Sequence, residues 1–182
     1  MTESARPLET DDAIVLLLGA PGKTKRATGR VEGITRLEKL LFLLEKETPA
    51  ARWLKEPADF IAHNFGPFSA KAYREIETLV AAGLVQDSEQ ITDNAEDSWE
   101  LRNIIGAQPP DPYATRNFEL TELGRRYYNK LLTMLPQDAE RQVAELKMRF
   151  GTAPLRQLVR YVYERYPEFT EKSIIRDEVL GP

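Results

Sequence analysis

The stretch Phe65-Gly66-Pro67-Phe68-Ser69-Ala70-Lys71-Ala72-Tyr73-Arg74-Glu75-Ile76-Glu77-Thr78-Leu79-Val80-Ala81-Ala82-Gly83-Leu84-Val85 decides how this chain is read. Gly66-Pro67 marks a turn, and Ser69 is a strong helix N-cap. Ala72, Ile76, Leu79 and Val80 then recur at helical spacing, and Gly83 stops the helix before Leu84-Val85 turns extended.

The pattern continues on both sides. Upstream, Thr35 with Glu38 reads as a capping box, followed by Leu37, Leu40, Leu41 and Leu44 on one helix face, ended by Pro49. A shorter helix capped by Asp11 or Asp12 runs to Leu18, where Gly19, Pro21 and Gly22 stop it. Asp59 to Asn64 is a short extended candidate. Downstream, Leu84–Val85, Trp99–Ile105 and Phe118–Leu120 read as strands of an antiparallel hairpin with a long acidic tip. Helices resume behind Thr121, between Pro136 and Gly151, from Pro154 to Pro167, and behind Thr170. The expected fold class is mainly α with a small antiparallel β-hairpin, an α+β protein.

A helix, a Gly-Pro turn, a second helix ending in Gly-Leu-Val, and a hairpin running into Leu120-Thr121-Glu122-Leu123-Gly124 is the order of a winged helix-turn-helix. These residues resemble the winged-helix core of bacterial and archaeal regulators. Taken with Leu37-Glu38-Lys39-Leu40-Leu41-Phe42-Leu43-Leu44, the Phe65–Ser69 motif is similar to small prokaryotic winged-helix proteins related to the Panacea (SocA-like antitoxin) domain. The resemblance covers about residues 33 to 135. It implies either sequence-specific binding of double-stranded DNA or antitoxin-like contact with a protein partner. On this reading the chain divides into a helix and basic arm over 1–32, a winged helix over 33–135 with an acidic wing insertion at 86–112, and a C-terminal helical extension over 136–182. That extension would supply a homodimer interface or an effector-facing surface.

Charge is distributed unevenly. The 182 residues carry 25 basic and 29 acidic groups, a net charge of −4 that argues against a uniformly basic nucleic-acid coat. Residues 22–39 nevertheless hold Lys23, Lys25, Arg26, Arg30, Arg36 and Lys39 against Glu32 and Glu38, whereas 86–112 hold seven carboxylates against Arg102. The expected DNA contacts are Lys23, Lys25, Arg26 and Arg30, as an arm on phosphates, with Ser69, Lys71, Tyr73 and Arg74 at the start of the recognition helix.

Other chemistries find little support. There is no cysteine for a disulfide, a thiolate nucleophile or a thiolate metal site, and the single histidine, His63, cannot form a His pair. Gly22-Lys23-Thr24 lacks the glycine five residues earlier that a phosphate loop needs, since Leu17 stands there. Tyr127, Tyr128, Tyr161, Tyr163 and Tyr166 read as packing residues. No acid–base pair emerges, so the expected protein is not an enzyme and takes no cofactor. The longest apolar run, Ala13–Ala20, is too short to span a bilayer and follows acidic residues, so a cytoplasmic location is expected.

Overall fold

The computed structural model describes residues 6–91 and 114–181. The protein is α+β and mainly helical. Helix α1 (Thr10–Gly19) is followed by a 3-10 turn (Lys25–Ala27), strand β1 (Arg30–Glu32) and helix α2 (Ile34–Glu47). A 3-10 turn at Ala50–Arg52 leads to the hairpin β2 (Ile61–His63) and β3 (Gly66–Phe68), then helix α3 (Ala70–Ala81). Strands β4 (Val85–Ile91) and β5 (Ala114–Leu120) precede helices α4 (Glu122–Leu132), α5 (Ala139–Phe150), α6 (Leu155–Arg165) and α7 (Arg176–Leu180). Strands β1, β5 and β4 form one antiparallel sheet in that spatial order, with Val31 opposite Phe118 and Val85 opposite Leu120.

α1 is the centre of the core. Every residue from Thr10 to Gly19 is buried except the half-buried Asp11, as expected of a helix that is apolar on all sides. Its cap differs from the Asp11 or Asp12 expected from sequence: Glu9 is the N-cap, and Asp12, three residues in, accepts the Glu9 backbone N–H at 2.9 Å. Arg6 and the Tyr127 hydroxyl also bond the Asp12 carboxylate, tying α4 to the start of α1. At the other end Gly19 lies under Tyr128, whose ring a Cβ would enter at 2.3 Å.

α2 is buried from Ile34 to Leu44. The expected Thr35–Glu38 capping box is not formed. Gly33, at φ 91°, lets the chain leave β1 and start the helix two residues earlier, and Glu38 is buried. The third helix follows the sequence closely: Ser69 caps it, Ala72, Ile76 and Leu79 are buried, and Gly83 at φ 74° ends it. Gly66-Pro67, expected as a turn between two helices, is instead strand β3, so residues 48–69 join α2 to α3 through a hairpin. The expected strand at Trp99–Ile105 lies outside the described residues, as does most of the acidic segment 86–112.

α4 starts at Thr121, whose side chain accepts the Gly124 N–H at 3.0 Å. Gly124 sits against β4 so closely that a Cβ would fall 2.0 Å from the Leu84 carbonyl oxygen. Leu123, in the first turn of α4, is exposed. A single buried cluster runs from Leu8 to Val179 through all three segments drawn from the sequence. No helix among the described residues is long and apolar enough to cross a membrane.

Lys147 on α5 is buried at 1% exposure and donates to the Leu18 carbonyl in the last turn of α1. Carbonyls at a helix C-terminus attract an ammonium, but burial opposes the charge and pushes the Lys147 pKa down to about 7. Below that pH the ammonium is charged in both folded and unfolded chains and the burial cost is fully present. Between about 7 and the unfolded value of 10.5, the unfolded chain binds the extra proton, so stability rises with pH. The melting temperature of the wild type relative to Lys147→Met is therefore expected to climb from pH 6.5 to 9.5. A constant difference across that range would contradict the assignment.

Candidate ligand-facing surfaces

The residues expected to contact DNA fall into two groups that the sheet keeps apart. The 3-10 turn carrying Lys25 and Arg26 lies by β1, one edge strand, while α3 packs by β4, the other. Lys23 and Lys25 are exposed. Arg26 reaches Glu32 at 3.9 Å, and Arg30, whose side chain is 13% exposed, reaches the same carboxylate at 3.3 Å. The segment is a folded element rather than a loose arm. Thr24 caps the 3-10 turn by accepting the Ala27 N–H at 3.2 Å, and the Thr28 hydroxyl accepts the Gly22 N–H at 3.2 Å.

On α3, Ser69 is fully buried. Its backbone N–H donates to Glu38 Oε1 at 2.7 Å, and its hydroxyl accepts the Ala72 N–H while donating to the Ala58 carbonyl. Ser69 thus positions the helix and presents no side chain to a ligand. Lys71 is half-buried, 3.3 Å from Glu56, and donates to the Pro57 carbonyl at 3.2 Å. Tyr73 is half-buried with its ring 5.2 Å from that of Phe68. Arg74 is exposed and makes no ion pair among the described residues.

The outer row of α3 is Ala70, Arg74, Glu77, Thr78 and Ala81, all exposed. Arg116 on β5 holds Glu77 at 2.6 Å and Asp87 at 2.8 Å, bracing α3 against the sheet. Burial lowers and the two carboxylates raise the Arg116 pKa, with a net upward shift, so this guanidinium stays charged.

Beneath this surface lies a buried polar clamp. Lys39 Nζ, at 0% exposure, donates to the Pro67 carbonyl at 2.7 Å and lies 3.4 Å from Glu38 Oε2. Burial raises the Glu38 pKa, while Lys39 and the Ser69 N–H pull it back. Arg36 is buried too, with Nε on the Glu32 carbonyl at 3.1 Å and Nη1 on the Phe150 and Ala153 carbonyls. Neither Arg36 nor Lys39 therefore contributes to a basic outer face, although both were counted in the basic stretch.

α1, a helix, precedes Gly22-Lys23-Thr24 where a phosphate loop needs a strand. His63 lies on β2 with its ring 4.7 Å from that of Phe68. Glu47 accepts from the Tyr161 hydroxyl at 3.0 Å, the Tyr166 hydroxyl at 3.1 Å and Arg165 at 3.0 Å. Tyr163 shares a 2.7 Å hydrogen bond with Ser173.

The chain matches no protein-family model, no curated protein and no solved structure.

Removing one partner of the clamp leaves the other charge stranded in the core. Lys39→Met is expected to cost about 3–5 kcal/mol in urea unfolding, and adding Glu38→Gln to recover part of that loss. Strictly additive losses would show that the two side chains act independently.

Proposed function

We propose that residues 10–132 form a winged-helix unit that acts as a DNA-binding transcriptional regulator through α3 and the β4–β5 wing. One observation carries the reading: α1, β1, α2, α3, β4 and β5 follow one another in winged-helix order, and β5 lies between β1 and β4 in the sheet. The β2–β3 hairpin is an insertion between the two helices of the motif.

The contact set drawn from the structure is smaller than the one drawn from sequence. Arg74, projecting from the outer row of α3, is the group suited to a base edge or phosphate, and Ala70 and Ala81 leave room for close approach. Lys71 is suited to a phosphate once released from Glu56. Ser69 drops out because it is buried, and Lys23, Lys25, Arg26 and Arg30 belong to the other edge of the sheet.

A second reading draws on the charge of the same row. Arg74 and Glu77 cancel, leaving the outer face of α3 neutral, which suits an antitoxin-like or adaptor contact with a protein as well as it suits DNA.

Fluorescence anisotropy with duplexes from the upstream region of the gene separates the two. The DNA reading expects binding that weakens steeply with salt and loses sequence preference in Arg74→Ala, by about 1–3 kcal/mol at the contacted base. No binding at low salt, together with a stoichiometric protein partner that is lost on deleting residues 89–100, would overturn it in favour of the protein contact.

A further inference from the structure

Arg74 is the one cation on the outer row of α3, and the sequence sets a carboxylate, Glu77, three positions further on. Side chains three and four apart on a helix are neighbours, so an arginine and a glutamate in this relation ordinarily pair. Here they do not. Glu77 Oε1 instead accepts from Arg116 Nη2 at 2.6 Å, across 39 residues of sequence, and Arg74 makes no ion pair among the described residues. No other carboxylate stands at that spacing from Arg74, whose remaining helical neighbours are Ala70, Lys71 and Thr78.

Arg116 prevails over Arg74 because of how it is held. Its Nε donates to Asp87 Oδ2 at 2.8 Å, Asp87 being only 16% exposed, and its guanidinium lies 5.3 Å from the centre of the Phe118 ring. β5 thus presents a guanidinium whose rotamer is already fixed, and Glu77 alone gives up side-chain freedom to meet it. Pairing Glu77 with Arg74 would immobilise two long exposed side chains, and such pairs are worth little for that reason. The planar fork of Arg116 also serves both carboxylates at once, Nε toward Asp87 and Nη2 toward Glu77.

We infer that Arg116 is a positioning residue: by holding Glu77 it keeps Arg74 unpaired and open to a duplex. That role rests on the reading of α3 as the DNA-facing helix. Arg116 acts without touching the ligand. In its absence Glu77 turns back along α3 to Arg74, where the carboxylate occupies the guanidinium and repels the phosphates and base acceptors that Arg74 would meet.

Side-chain NMR of the arginines in the full chain reads the pairing without DNA. The Arg74 Nε–H signal, identified by its absence in Arg74→Ala, is expected to ignore Glu77→Gln in the wild-type background and to shift on the same change once Arg116→Gln is in place. Fluorescence anisotropy reads the consequence. The affinity for the upstream-region duplex that the wild type binds most tightly, divided by that for a random duplex of equal length, is a ratio in which general charge effects cancel. Arg116→Gln should lower this ratio about threefold, and adding Glu77→Gln should restore it, which it would not do if the loss came from a misplaced α3. If Arg116→Gln unfolds because Asp87 is stranded, Asp87→Asn combined with Arg116→Gln becomes the starting background. An Arg74 signal that responds to Glu77→Gln in the wild type, or in neither background, would overturn the proposal, as would a ratio that Glu77→Gln fails to restore. A wild-type chain that binds no duplex defeats the DNA reading, and with it the use of Arg74 for DNA, while the NMR cycle still decides whether Arg116 withholds Glu77.

Discussion

The placement of α3 depends on a pair of charges sealed inside the protein. Glu38 and Lys39 leave α2 on its inner side and grip the chain just ahead of α3, Lys39 at the Pro67 carbonyl and Glu38 at the Ser69 N–H. Ser69 passes the constraint on by capping α3 at Ala72. Burying two ions is expensive, and a well-packed apolar pair often gives equal or greater stability. What the polar clamp adds is direction: it satisfies specific backbone groups, so the β2–β3 hairpin and the first turn of α3 have one seat on α2. Arg116 braces the middle of the helix from the other side through Glu77.

The same economy explains the charge pattern. The basic residues of the 22–39 stretch do three different jobs. Arg36 and Lys39 are internal fasteners, Lys23 and Lys25 are exposed, and Arg26 and Arg30 share the Glu32 carboxylate on β1. A net charge of −4 therefore conceals basic residues gathered around β1, apart from α3. The C-terminal helices are part of this arrangement: the end of α5 and the turn that follows it supply the carbonyls that hold Arg36, and Lys147 fastens α5 to the end of α1.

Much of the fold was legible in the residues. Ser69 and Thr121 announced two helix starts, Gly83 a helix stop, and Pro154 the start of α6, because cap and breaker chemistry is local. Three features were not. β1 is only Arg30–Glu32, too short to show an alternating pattern, and its partner is distant in sequence. The capping box at Thr35 was displaced because tertiary burial of Glu38 outcompeted a local cap. β3 hid inside a Gly-Pro pair because the turn closes just ahead of it, at Asn64-Phe65, with Gly66 at φ 83° already paired with His63. The candidate surfaces were harder still. Sequence counts charge but not burial, so Ser69, Arg36 and Lys39 looked available. Arg36 meets the Phe150 and Ala153 carbonyls across more than a hundred residues of sequence, a proximity no local pattern encodes.

The claim on which the functional reading rests is that α3, and not the Lys23–Arg30 segment, is the face that meets DNA. Amide hydrogen exchange of the full chain, with and without a short random-sequence duplex at low salt, reads this directly. Added protection over residues 70–81, with 23–30 unchanged, is the predicted result. Protection confined to 23–30, or none over 70–81, would contradict it.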